Sequence, residues 1–377
     1  MNHAEVLRRF QDEVVQKRSL EQLRALESYF QSNREQLARD LGECYRKFCG
    51  QIYRMQRQAA KAAVAYIQFS LLRTAILEQH YFFLIEAYDR RWYLDRQECL
   101  AEYDVTWAFR FLNHLAVGLE EARKQYSGQI TTADVEQIIL AEAGKYLRYV
   151  VAVARMAIPE VAQSREYHEL NREEQLEVRV GEYKDLSEVV YKEDRRVKAA
   201  QQVRKWLAAK LDHAYSYEVF RGLDLAGGDY RGVDLRYADL HQCSLAGSCL
   251  KDTVLAGVKL AGSNLEQADL SETILYEADL RRCNLKKACL HNVAGASGLI
   301  DLTEEWQGPG FQSVCFQEAD LTGADLSGAD LRGADFRGAC LTGVNFEQTR
   351  LTGAVFDRSH QQLFGLIPEQ VREISWS

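Results

Sequence analysis

Hydrophobic positions along this chain keep two rhythms. Up to residue 160 they recur at steps of three and four, with no proline before Pro159, which is the spacing of amphipathic helices. Val6, Phe10 and Val14 share one face. Ser32-Asn33-Arg34-Glu35 has the form of a capping box, and Leu37, Leu41, Cys44, Phe48, Ile52 and Met55 follow as one stripe. Residues 59–89 are apolar nearly all round, with Tyr81, Phe82, Phe83, Leu84 and Ile85 consecutive, as in a helix at the middle of a bundle or at an oligomer interface. Further helices are predicted over 92–125, stopping at Ser127-Gly128, and from a Thr131/Asp134 cap to Ile158-Pro159. Long helices with short joints predict an antiparallel bundle over 1–160.

Residues 161–215 read as a charged connector ending in a helix. Leu176-Glu177-Val178-Arg179-Val180 alternates like a short strand, and Val203, Trp206, Leu207 and Leu211 return to helical spacing. That helix abuts the start of the second rhythm and is placed to cap it.

From residue 216 to 358 the chain counts in fives. Large apolar residues occupy every fifth position from Phe220 to Leu290 and again from Phe316 to Phe356. Two residues before them stand small ones such as Ala238, Ser263, Ala319 and Ala324, with Leu223 a departure. Two residues after them stand twelve of the 24 glycines. A period of five fits neither a helix at about 3.6 nor a strand at about 2. It implies stacked units that bury a common apolar face only together. With four units to a coil, neighbouring coils pair as strands do at about 4.8 Å. Leu225, Leu245, Leu265, Leu285, Leu321, Leu331 and Phe336 are then core residues, and glycine suits a positive φ at each corner.

Units such as Ala-Asp-Leu-Ser-Gly and Ala-Asp-Leu-Arg-Gly, over residues 324–333, resemble the A(D/N)LXX signature of pentapeptide-repeat proteins. The resemblance covers well under half of the chain. It implies a right-handed quadrilateral β-helix, so the fold class expected is multidomain α+β: an N-terminal helical bundle followed by a pentapeptide-repeat solenoid. It also implies a family that includes topoisomerase-binding DNA mimics, developmental regulators and secreted effectors.

Two segments fall outside the count. Residues 291–315 interrupt the repeat and carry Glu304, Glu305 and Trp306, either a partner-contact loop or a tolerated insertion. Residues 359–377 lead into a short helix with Pro368 at its first turn and Leu366, Ile367, Val371 and Ile374 apolar. This tail is expected to close the last coil or to join two copies of the chain.

Charge adds a partition. Residues 216–360 hold 21 Asp and Glu against 13 Lys and Arg, a balance of −8, while the remainder holds 34 of each sign. The acidic repeat argues against direct nucleic-acid binding and leaves protein partners, not identified by sequence, or a second copy. No run of 18 apolar residues suggests a membrane span. Six of nine cysteines fall inside the repeat without CxxC spacing, so they read as small fillers and reduced thiols of a bacterial cytoplasm. Neither metal spacing nor a nucleotide or hydrolase motif occurs, and Ser248-Cys249-Leu250-Lys251 matches SxxK only because the repeat dictates it. No catalytic residue, metal or cofactor is expected. The reading is a non-enzymatic protein–protein scaffold, with a gyrase- or topoisomerase-directed DNA mimic as the alternative. Against the mimic, acids before the large residue do not form an uninterrupted column at twenty-residue steps.

Overall fold

The computed structural model describes residues 2–297, 309, 311–358 and 366–377. Two compact units divide the chain, Met1–Arg195 and, in the main, everything from Arg196 on.

The first unit is helical in large part. α1 (His3–Phe10) runs through a π-turn (Gln11–Val15) into α2 (Gln16–Arg57), and α4 (Thr106–Arg123) and α5 (Thr132–Val161) pack with α2. Thr131 caps α5 in a reciprocal box with Asp134, and Asn2 and Glu5 do the same for α1. The capping box expected at residue 32 is not formed. Ser32 lies mid-helix, its hydroxyl donating to the Ser28 carbonyl, because apolar spacing carries α2 straight through it. Pro159 likewise sits inside the last turn of α5, where it ends the helix late rather than at once.

An all-helical reading of residues 1–160 is corrected by a five-stranded sheet. Its strands are β1 (Val64–Leu71), β2 (Phe82–Tyr88), β3 (Leu100–Asp104), β4 (Arg172–Glu182) and β5 (Ser187–Asp194), in the order β3-β2-β1-β4-β5. β1 and β4 are parallel and the other pairs antiparallel. The connector over 172–194 therefore belongs to this unit. Two short helices, α3 (Arg73–Leu77) and α6 (Arg165–His168), fill connections. The physical reason lies in side-chain alternation. Ile67, Phe69 and Leu71 are buried on one face while Tyr66, Gln68 and Ser70 alternate with them, and Tyr81–Ile85 supplies β2 with aromatic and branched residues that favour a pleated surface. Phe69 meets Tyr45 of α2 at 6.0 Å and Phe83 meets Phe109 of α4 at 6.3 Å, which places one sheet face in the helical core.

The second unit opens with α7 (Ala200–Ala208), whose Val203 and Leu207 are buried in the repeat core. Parallel bridges then join residues twenty apart, or thirty-six apart across the interruption, from Val219–Asp239 to Asp335–Val355. Leu225, Leu245, Leu265, Leu285, Leu321, Leu331 and Phe336 are all at most 2% exposed. Phe316, Phe336 and Phe356 stack with centroids 5.1 and 4.7 Å apart. The small positions satisfy the crowded backbone: Ser263 Oγ donates to Leu240 O at 2.7 Å and Thr253 Oγ1 to Tyr230 O at 3.0 Å. At the corners φ is positive whichever residue is present, +63° at Gly247 and +57° at Gln267.

The interruption is narrower than residues 291–315. Ala294 still bridges both Ile274 and Asp330, and the next bridge joins Asp279 to Cys315. Gly295 hid this unit by standing where the count demands a large residue. A Cβ there would meet Val314 Cγ1 at 2.8 Å and Leu331 Cδ2 at 3.1 Å, so neighbours already occupy the space.

The tail rejoins the ladder. β6 (Val355–Phe356) pairs in parallel with β7 (Ser375–Trp376), and α8 (Pro368–Glu373) lies between them in sequence.

Candidate interaction surface

The sides of the repeat unit present columns of residues that the bridges set one coil apart, twenty residues on or thirty-six across the interruption. One column reads Asp224, Ser244, Asn264, Asn284, Asp320, Cys340, and the next Asp229, Cys249, Asp269, Cys289, Asp325, Asn345. A third runs Asp234, Val254, Ile274, Ala294, Asp330, Arg350, and the fourth sets Lys259 between Asp239 and Asp279. Each column interrupts its acids with neutral, apolar or basic residues.

The repeat also supplies its own counter-charges. A side chain two residues past the outward acid lies on the same side, and where it is arginine the two form a fork. Arg231 reaches Asp229, Arg236 reaches Asp234 and Arg281 reaches Asp279, each at 2.7 Å. Arg332 holds Asp330 at 2.8 Å and Arg337 holds Asp335 at 2.5 Å. Lys286 meets Asp320 at 3.0 Å. Asp239 is clamped by Arg221 at 2.5 Å and His241 at 2.7 Å. Burial alone would push the Asp239 carboxyl up, but the His241 and Arg221 bonds together outweigh it and hold it well below the usual carboxylate range. Burial pushes the Lys259 ammonium below the ordinary lysine range. These faces therefore offer shape and alternating charge rather than a continuous negative field.

The ends are built differently. At the first coil, Trp206 of α7 packs on Tyr215 and Phe220 at 5.0 and 5.9 Å, and Lys198 Nζ donates to Val219 O at 2.7 Å. At the last, Ile374 is buried and Leu366 half-buried, while Ile367 and Val371 are 55% and 42% exposed. Sequence reading passed over Gln370, the residue that meets the open backbone. Its Nε2 donates to Phe346 O at 3.0 Å and Thr349 O at 2.9 Å. A polar residue on an apolar helix face was the available signal. Glu304, Glu305 and Trp306 lie outside the described residues.

Ser248 is 1% exposed and donates to Leu225 O at 3.1 Å, which leaves it a backbone-satisfying filler. Burial pushes the Cys283 thiol up to about 12, whereas the Thr322 hydroxyl draws exposed Cys340 down. Among the described residues no group of three or more His, Cys, Asp or Glu is placed to hold a metal. Among them, too, no helix is long and apolar enough to cross a membrane.

The family of pentapeptide repeats matches residues 219–252, 248–292 and 315–358, in 8 copies. No curated protein matches the chain. Among solved structures, the pentapeptide-repeat protein Rfr23 from the cyanobacterium Cyanothece 51142 is 33% identical over 33% of this chain, with a TM-score of 0.23. The aligned part spans 64% of that protein's length. Full-length QnrB1, a plasmid-mediated fluoroquinolone resistance protein, is 15% identical over 42% of this chain and 93% of its own, with a TM-score of 0.21. HetL, a pentapeptide-repeat protein involved in heterocyst differentiation regulation from Nostoc sp. strain PCC 7120, is 20% identical over 43% and 98%, with a TM-score of 0.13. The five-residue count, the bridge ladder and the family match meet on one stretch: residues 219–292 and 315–358 match the pentapeptide-repeat family, and they follow an N-terminal region that is helical in large part.

Proposed function

We propose that this chain is a non-enzymatic scaffold for protein–protein recognition in a bacterial cytoplasm. The repeat unit, read as a right-handed quadrilateral β-helix, presents stiff sides to a protein partner, and the N-terminal unit supplies a second contact or self-association. The observation that carries this reading is the self-neutralised wall. Asp229, Asp234, Asp279, Asp330 and Asp335 each hold an arginine two residues on. A partner meets a surface whose charges are fixed in place, which favours register and specificity over long-range attraction. The tail is read as a cap, supported by Gln370 on the last carbonyls and by the β6–β7 pairing.

The alternative, a DNA mimic acting on gyrase or another topoisomerase, draws on the family resemblance and on the resistance role of QnrB1. It requires a phosphate-like run of negative charge, and the arginine forks work against one. A gyrase supercoiling assay with micromolar full-length protein separates the two. Neither inhibition nor protection from a fluoroquinolone is expected, and either effect would favour the mimic. Pull-down from the native cell with the full chain, compared with a chain in which the five fork arginines are changed to glutamate, tests the scaffold. Partners retained equally by both would overturn recognition through the wall.

A further inference from the structure

The sheet of the N-terminal unit has a second face, and its centre is polar. Gln68 occupies the middle of β1, with Tyr66 and Ser70 beside it along the strand. Glu86 of β2 stands opposite on one side and Arg179 of β4 on the other. Alternation directs these side chains away from Ile67 and Phe69, which enter the helical core. A solvated sheet face would leave them wet, yet Gln68 and Ser70 are 0% exposed and Glu86 is 7% exposed. The segment between β2 and β3 contributes to the cover. The Trp92 ring stacks on Tyr66 at 3.9 Å, the Arg179 guanidinium stands 5.5 Å from the Trp92 ring, and Tyr93 meets Tyr88 at 5.4 Å.

Hydrogen bonding beneath this cover is incomplete. Among the described residues neither Oε1 nor Nε2 of Gln68 has a partner, and neither does Trp92 Nε1. Arg179 is committed elsewhere, to Ser187 and Glu177. Ser70 Oγ reaches Glu86 only at 3.4 Å. A buried amide left unpaired is destabilising, and a leucine would fill a similar volume without that penalty. The cover itself holds an unfavourable shape, since Trp92 has φ +54°, a conformation rare for bulky residues and concentrated at functional positions. Its ends are anchored: buried Lys61 meets buried Asp95 at 2.7 Å, and Arg91 meets Asp89 at 2.7 Å.

We propose that residues 89–95 form a lid over a small-molecule site whose floor is Gln68, Ser70 and Glu86. The ligand class is a neutral planar amide or pyrimidine base. A carboxamide pairs best with a neighbouring N–H and C=O on one edge, closing two hydrogen bonds at once. The indole and phenol rings at the lid then cover the flat face of the ligand. Charge is disfavoured because Arg179, beside the floor, is already paired. Burial also pushes the Glu86 carboxyl above its ordinary range.

The test is saturation-transfer NMR on the full-length chain with nicotinamide, uracil and cytosine as probes, each titrated into the millimolar range. At least one is expected to bind. Gln68→Leu should weaken that probe by at least about tenfold while leaving the thermal midpoint equal or higher. Trp92→Ala should weaken the same probe through loss of the stack. Absence of binding by all three probes overturns the proposal, as does unchanged affinity in Gln68→Leu. Should Gln68→Leu fail to fold, Trp92→Ala reads the same site, and unchanged affinity there is equally fatal.

Discussion

The two units bury apolar surface by opposite strategies. In the N-terminal unit each partnership is unique: Phe69 has Tyr45, Phe83 has Phe109, and β1 finds its parallel neighbour only at β4. In the repeat unit the same partnership recurs, with equivalent positions bridged from coil to coil, the large residues buried in one shared core and the corners at positive φ. A core made of unlike contacts is specified everywhere and fails as a whole. A core made of like contacts adds its stability unit by unit, so it absorbs a departure such as Gly295 by letting neighbours fill the gap. Substitutions that violate the shared rule are therefore the informative ones.

The largest effect should come from a charge on the repeat axis. Leu265→Asp or Leu331→Asp buries a carboxylate where the native side chain is 0% exposed and should cost more than about 4 kcal/mol. Calorimetry of the full chain should then lose the repeat transition while the N-terminal unit keeps its own. Loss of both at one temperature would show that the units are not independent. Next in size is the end of the ladder. Gln370→Leu strips the donor from the Phe346 and Thr349 carbonyls and should destabilise the repeat transition by about 1–3 kcal/mol, read from urea midpoints. An unchanged midpoint with a changed mass in solution would instead favour a tail that joins two copies.

Corner residues give a smaller pair of opposite sign. Gly247→Ala, at φ +63° with open space around the missing Cβ, should lower stability by about 1 kcal/mol. Gln267→Gly, at φ +57°, should raise it by up to about 1 kcal/mol, because strain is relieved while chain entropy rises. The smallest effect is on pH. Asp239 is depressed in the folded chain, so its contribution is present above the ordinary aspartate value of about 3.9 and fades as pH falls through the lower folded value. Asp239→Asn should flatten that part of the acid-unfolding curve, and a curve of unchanged slope would remove Asp239 from the account.

What could be read from the chain follows from how locally each rule is written. The repeat was legible because position within five residues decides burial, corner conformation and side-chain size together, so Leu225 and Phe336 could be placed without any knowledge of a partner. Gly295 escaped because its filling comes from Val314 and Leu331, which are distant in sequence. The strands of the N-terminal unit escaped for a related reason. Ala-rich sequence before Val64 and the aromatic run at Tyr81 satisfy a buried helix as well as a strand, and the alternation at 66–71 was too short to override the pattern around it. The polar floor at Gln68 was invisible in sequence, since only the β1–β2 and β1–β4 registers bring Glu86 and Arg179 beside it.

The pairing of Val64 in β1 with Arg172 in β4 has a bearing on synthesis. As the polypeptide leaves the ribosome, β1 must wait with one edge unsatisfied until β4 has emerged, which exposes a strand to wrong partners for the whole of that interval. The later coils wait only for the next twenty or thirty-six residues. Hold-ups in expression, and any need for a chaperone, should therefore trace to the first half of the gene rather than to its repeats.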